Sequence, residues 1–322
     1  MRVAAVDLGT VSSRLLLATI EDGAIVSSTK VTEITDLGRG VDATGRLSDD
    51  AIGRVLAACG GFVQRIADFA PDAVCTTLTS AARDAGNGED LIGGLEQLGL
   101  RPQVIPGQIE ARLTFYGVAH DFPARRIAVA DSGGGSTELV MGSYAPGEPL
   151  TLGRLQSLNI GCRRITDRFL AGDPPTREQC DEASAWAADV LAGYWEGAGE
   201  RPERLVAVGG TVTTLVALAN KLAVYDPAFV HLHELTAAEV ESCIELMSGR
   251  TADEIAALPG IQAKRAPVML GGALIIREIL RTGGYDALTV SENSLLVGMA
   301  TTISEVLDGQ EPVIGWTPLL SC

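Results

Sequence analysis

Asp7 and Asp131 stand 124 positions apart, and each follows an apolar run and opens a turn of glycine and hydroxyl residues. The first copy reads Val3-Ala4-Ala5-Val6-Asp7-Leu8-Gly9-Thr10-Val11-Ser12-Ser13-Arg14 and continues into Leu15-Leu16-Leu17-Ala18. The second reads Ile127-Ala128-Val129-Ala130-Asp131-Ser132-Gly133-Gly134-Gly135-Ser136-Thr137-Glu138 and continues into Leu139-Val140-Met141. Glycine allows left-handed backbone and close approach of a ligand. Successive N–H groups in such a turn form a cradle for phosphate. A carboxylate at the strand end can hold Mg²⁺, whose hard chemistry suits carboxylate and phosphate oxygens together. One Asp-x-Gly followed by Ser or Thr is ordinary hairpin material. Three glycines in a row are more than a structural hairpin needs, because glycine weakens the strands it joins. The pair points to phosphoryl chemistry. Asp7 and Asp131 are then the metal-linked carboxylates, and Gly9, Thr10, Ser12, Arg14, Gly133, Gly134, Gly135, Ser136 and Thr137 the phosphate contacts.

The elements that must position these residues alternate between strand and helix. Ser48 with Asp49 and Asp50 opens a helix expected through about Phe69, its cap and acids suited to the helix dipole. A strand is expected at Ala73–Leu78, a short helix at Glu89–Leu98, a strand at Gln103–Ile105, and a helix from Pro106-Gly107 to about Val118. A second half restarts with a strand at Arg125–Ala130, after a boundary near His120–Ala124. There Glu178–Trp195 reads as a helix with Trp186 and Trp195 in its core. Leu205–Val208 is another strand, running into Gly209-Gly210-Thr211 and a helix to Leu218. Thr236 with Glu239, and Thr251 with Glu254, are capping boxes that start two more helices. Alternating strands and helices with glycine turns at strand ends make an α/β protein that binds ligands at those ends.

The chain has 322 residues, 46% of them apolar, which suits two domains of about 150. No apolar run reaches the roughly 18 residues of a membrane span, and Asp7 interrupts any signal-peptide core. Cys59, Cys75, Cys162, Cys180, Cys243 and Cys322 contain no Cys-x-x-Cys pair and read as reduced thiols. The expected location is the cytoplasm, with no membrane partner. His231-Leu232-His233-Glu234 imitates a metal site but has no complementing cysteine or second histidine cluster. A net charge of −16 argues against broad nucleic-acid binding. A phosphate site must therefore be locally positive, and Arg14, Arg83, Arg112, Arg163, Arg164, Lys264 and Arg265 lie near the motifs.

Taken together, Asp7–Arg14, Ser80–Asn87, Gly107–Arg112, Asp131–Glu138, Gly161–Thr166 and Gly209–Leu215 resemble the exopolyphosphatase/guanosine pentaphosphate phosphohydrolase (Ppx/GppA) family. This family belongs to the actin–Hsp70–sugar kinase superfold. The resemblance extends through Leu258–Ile276 and Thr289–Gly298. It implies two actin-like (ribonuclease H-like) domains, with an interdomain cleft that both hairpins face. The first would span 1–122 plus a returning C-terminal helix within about 294–322, and the second 123–293. It implies that Glu110 is the catalytic base, Arg83 an arginine facing the phosphates, Asp131 the metal-linked acid and Glu138 a second acid on the same hairpin. Gly209, Gly210 and Thr211 match the segment that contacts adenosine in kinase relatives. Read from the residues alone, Glu110 could instead complement its helix dipole, and Arg83 could pair with Asp84 or Glu89.

The chain departs from the family's pattern at Val11, where Asn is usual. It also lacks, near Ser291–Gly298, the Gly and the Arg-Glu pair of longer members, whose extra helical domains it does not contain. The short, two-domain branch is the one it resembles. The implied activity is Mg²⁺-dependent removal of the terminal phosphate of inorganic polyphosphate. Hydrolysis of guanosine pentaphosphate is the alternative within the family, and an ATP-dependent kinase of the same superfold is a second. A non-catalytic phosphate or nucleotide sensor is favoured by Val11 alone. The implied partners are polyphosphate or guanosine pentaphosphate, and the resemblance is compatible with a homodimer.

Overall fold

The computed structural model describes residues 1–321, and Cys322 lies outside the described residues. The chain divides into two compact units. The first comprises Met1–Pro123, Tyr144–Leu150 and the segment from Ser294 onward; the second comprises Ala124–Ser143 and Thr151–Asn293.

In the first unit, β1 (Arg2–Leu8), β2 (Ser12–Glu21), β3 (Ala24–Ile34), β4 (Ala73–Leu78) and β5 (Pro102–Val104) form a mixed sheet. The terminal strand Leu320–Ser321 pairs with Val74 and Cys75 of β4, on the same edge where β5 pairs Thr76, Thr77 and Leu78. Every residue of β1 after Arg2 is buried; the apolar stretch 3–6 reads as strand covered on both faces. β1 runs antiparallel to β2 and parallel to β4, with Asp7 opposite Arg14 and beside Thr77. Helix Asp49–Phe69 starts where Ser48 accepts a hydrogen bond from the Ala51 N–H, and buries Ile52, Val55, Cys59 and Phe62. Helices Gly107–Ala119 and Leu295–Leu307 cross with their backbones in contact. A Cβ at Gly117 would collide with the Ser294 carbonyl, and one at Gly298 with the Leu113 carbonyl. This close crossing pins the helix that carries Glu110.

In the second unit, β6 (Ile127–Ser132), β7 (Thr137–Ser143), β8 (Thr151–Leu158), β9 (Leu205–Val208), β10 (His233–Thr236) and β11 (Ala287–Val290) order as β10-β11-β9-β6-β7-β8. Helices Arg177–Trp195 and Ala266–Gly283 supply much of its core, with Tyr194, Trp195, Leu274, Ile275 and Ile279 all buried. Trp186 packs partly buried against that core. Both expected capping boxes form, and a third, Thr176 with Gln179, starts helix Arg177–Trp195. Both units are α/β.

The structure adds elements that the sequence pattern does not separate. β3, β8 and the helices Cys162–Phe169 and Ala266–Gly283 are among them. One segment also departs from the expected division: Tyr144–Leu150, expected in the second domain, groups with the first unit. Tyr144 is the reason, its ring meeting Tyr116 edge-on at 5.0 Å and His120 at 5.2 Å. Cys59, Cys75, Cys162, Cys180 and Cys243 are free thiols. Among the described residues, no helix is long and apolar enough to cross a membrane.

Candidate active site

The two Asp-containing hairpins are built to one plan. Asp7 pairs with Arg14 and Leu8 with Ser13; Asp131 pairs with Glu138 and Ser132 with Thr137. Each turn is closed by one main-chain bond, Gly9 N–H to Ser12 carbonyl and Gly133 N–H to Ser136 carbonyl, both 3.0 Å. In each turn the carbonyls face the following protein segment. Thr10 O accepts from Gly38 N, and Val11 O from Thr35 N and Asp36 N. Gly133 O accepts from Cys162 N, Gly134 O from Arg163 N and Arg164 N, and Gly135 O from Arg164 Nε. Among the described residues, the N–H groups of Thr10, Val11, Gly134, Gly135 and Ser136 donate no main-chain hydrogen bond. A peptide whose carbonyl is held this way presents its N–H groups to an anion. Gly161 is required for the second cradle, because a Cβ there would overlap the Gly134 carbonyl and Gly135 nitrogen.

The hairpins differ in charge. Arg14 reaches across to Asp7 with two donors, Nε at 2.9 Å and Nη2 at 2.6 Å, both to Oδ2. Asp7 is 1% exposed and its other oxygen, Oδ1, has no hydrogen-bond partner. In the second hairpin the position opposite Asp131 is another carboxylate, Glu138, and both are buried. Like charges directly opposite on a sheet face repel, so a cation at this pair would be stabilising. Ser157 donates to Glu138 Oε1 at 2.7 Å and fixes its orientation. Among the described residues no three His, Cys, Asp or Glu side chains gather as a ready metal cage. That pattern suits Mg²⁺, which keeps several waters and takes one or two carboxylates together with substrate phosphate. The orphaned Asp7 oxygen in the first unit fits such an ion, and so, in the second, does the Asp131–Glu138 pair. His231 and His233 are engaged otherwise: His231 Nδ1 accepts from Glu292 N, and His233 lies against the Phe229 ring.

Glu110 occupies the first turn of helix Gly107–Ala119 and is 8% exposed. Its Oε2 accepts from Arg83 Nη1 at 3.2 Å, and the same Nη1 donates to the Ile105 carbonyl at 2.9 Å. This corrects the Asp84 or Glu89 pairing considered for Arg83. Arg83 projects from the short helix Ser80–Asp84 that follows β4. Among the described residues its Nε and Nη2 have no protein partner, so two donors of the fork remain for a ligand.

Gly209 ends β9 with φ 100°, and a Cβ there would stand 3.1 Å from the Ser132 carbonyl and 3.3 Å from Asp131 Oδ1. The third glycine turn therefore lies directly beside the second, as the parallel pairing of Asp131 with Val208 requires. The Arg265 guanidinium rests on Gly210, where any side chain would overlap it. The Tyr225 hydroxyl donates to the Glu292 carboxylate. Burial and that carboxylate push the phenol above its usual range. Two expected contacts use their side chains inside the protein. Thr137 Oγ1 donates to the Ile160 carbonyl at 2.7 Å, and Thr211 packs on Gly272. Tyr225, Glu292 and Ser157 carry no motif that marks them. The equal spacing of Asp7 to Arg14 and Asp131 to Glu138, seven positions each, is the signal that could have revealed the matched registers.

The sequence profile of the Ppx/GppA phosphatase family matches residues 16–304. The chain belongs to that family. Membership makes it an enzyme, a hydrolase of phosphoric anhydride bonds. It is 34% identical to exopolyphosphatase 2 of Mycobacterium tuberculosis, over 94% of this chain and 98% of that one. Among solved structures, an exopolyphosphatase-like protein superposes with TM-score 0.88 at 33% identity, covering 95% of this chain and 98% of the other. An Aquifex aeolicus member of the Ppx/GppA family superposes with TM-score 0.77 at 32% identity, covering 96% and 98%.

Proposed function

We propose that this Ppx/GppA member is an exopolyphosphatase, releasing orthophosphate from the end of inorganic polyphosphate. The observation that carries the reading is the pairing of Arg83 with Glu110 at a helix start, beside a carbonyl-anchored phosphate turn in the same unit. The exopolyphosphatase relatives support polyphosphate as the substrate.

The residues divide the work. Main-chain N–H groups of Gly134, Gly135 and Ser136, and of Thr10 and Val11, bind phosphate oxygens. Nε and Nη2 of Arg83 clamp two phosphoryl oxygens, as a planar guanidinium does best. Glu110, oriented by Nη1 of Arg83, accepts a proton from a water molecule. The water oxygen forms the new P–O bond to the terminal phosphorus, the anhydride P–O bond breaks, and the shortened polyphosphate leaves with the bridging oxygen and the bonding electron pair. Asp131 and Glu138 in the second unit, and Asp7 in the first, would each offer carboxylate oxygen to Mg²⁺, which would neutralise charge on the phosphate oxygens. No covalent phosphoenzyme is needed.

The test is phosphate release from short polyphosphate, long polyphosphate and guanosine pentaphosphate, with and without Mg²⁺ and without added ATP. Release from polyphosphate supports the proposal. Release from guanosine pentaphosphate alone assigns the alternative substrate, and a requirement for a phosphate acceptor would assign a kinase.

A further inference from the structure

Val11 offers the first phosphate turn no polar side chain, and its isopropyl group is buried. The turn is held instead by its carbonyls. Val11 O accepts from Thr35 N at 3.1 Å and Asp36 N at 2.9 Å, and Thr10 O accepts from Gly38 N at 2.8 Å. The holding segment is not self-supporting: Asp36 sits at φ 49°, a left-handed conformation that costs a non-glycine residue. Arg54 meets that cost from helix Asp49–Phe69. Its Nε donates to the Thr35 carbonyl at 2.7 Å and its Nη2 to the Asp36 carbonyl at 3.2 Å. The two carbonyls clamped by the guanidinium belong to Thr35 and Asp36, the residues whose N–H groups grip the Val11 carbonyl. Ser13 and Thr35 close the arrangement with a hydroxyl bond of 2.9 Å. Among the described residues Arg54 has no carboxylate partner, so its bonded donors serve this loop.

We infer that Arg54 is a positioning residue for phosphate binding, setting the first turn's N–H groups through the chain Arg54, Thr35–Asp36, Val11. It touches neither substrate nor metal. A fork is needed, because one point-charge ammonium cannot serve two carbonyls at once. Arg54 is exposed, so the helix does not depend on its side chain for core packing. The inference rests on the exopolyphosphatase reading for its kinetic arm only.

The experiment compares wild type with Arg54→Ala, Arg54→Gln and Arg54→Lys. Amide hydrogen exchange is read residue by residue, and polyphosphate kinetics are measured in parallel. For Arg54→Ala, exchange accelerates at Thr35, Asp36 and Gly38 while the β1 and β4 amides keep their protection. KM rises about tenfold, with kcat changing less, within the ~10²-fold that a misplaced binding group can cost. Lys recovers part of the loss and Gln less. If Ala does not fold, the Gln and Lys variants carry the same comparison. Unchanged exchange at residues 35–38 in a folded variant overturns the clamp. Accelerated local exchange with wild-type kinetics overturns the positioning role. If wild type releases no phosphate from polyphosphate, the functional reading fails, and the exchange arm still decides whether Arg54 holds the turn.

Discussion

Glu110→Gln removes the proposed base while leaving its shape. Gln keeps a carbonyl oxygen where Oε2 accepts from Arg83 at 3.2 Å, so the bond to Arg83 weakens from charge-assisted to charge–neutral. Charge-assisted bonds contribute about 1.5–3 kcal/mol and neutral ones about 0.5–1.5, so the stability cost is of order 1 kcal/mol. At about 2–4 °C per kcal/mol for units of this size, the melting temperature falls only a few degrees. Stability is typically about 5–15 kcal/mol, so the variant remains folded at 25 °C. The catalytic effect is larger. A positioned base is worth about 10²–10⁴ in rate, or roughly 2.7–5.5 kcal/mol of barrier. The assay is single-turnover phosphate release from polyphosphate under saturating enzyme, alongside a melting curve. A folded Glu110→Gln enzyme that turns over at nearly the wild-type rate would refute the assignment, and Glu110 would be left with its helix-dipole role.

Asp131→Asn should raise the Mg²⁺ concentration needed for half-maximal rate, because it removes one of two facing carboxylates; an unchanged metal titration would dismiss that pair as the metal site. Arg83→Lys should raise KM for polyphosphate by roughly tenfold or more, since Lys cannot clamp two oxygens while still holding Glu110. Unaltered kinetics in a folded variant would reduce Arg83 to a structural ion pair. Burial pushes the Glu305 carboxyl up from its ordinary value of 4.5, opposed by hydrogen bonds from Tyr116 and Val313 and by nearby His120. The folded protein therefore binds this proton more tightly than the unfolded chain, so its stabilising contribution is full below pH 4.5 and is lost as pH rises through the raised pKa. Denaturant unfolding from pH 4 to 8 should show Glu305→Gln flattening this part of the profile, and an identical profile would locate the pH dependence elsewhere.

Local chemistry made much of the architecture legible before any coordinates. The strand at Ala73–Leu78, the helix ending at Phe69 and the capping boxes at Thr236 and Thr251 appear where their residues place them. Caps and apolar runs act over three or four residues, so their signals survive in one dimension. The two glycine-rich hairpin turns were visible for the same reason, glycine and hydroxyl content being a local demand. What tertiary structure decided is pairing. That Arg83 meets Glu110 rather than Asp84 depends on β4 and β5 lying side by side and delivering two helix starts to one end of the sheet. That Gly209 lies against Asp131 depends on β6 pairing with β9 between residues 77 positions apart, Asp131 with Val208. Tyr144 joins the first unit because its ring finds Tyr116 and His120, partners that no spacing in the sequence announces. Arg54 reads alone as one more charge on an exposed helix face, and only the folded loop turns it into a clamp. Residue type set which chemistry was available, and the non-local packing of strands and helices chose which groups could act together.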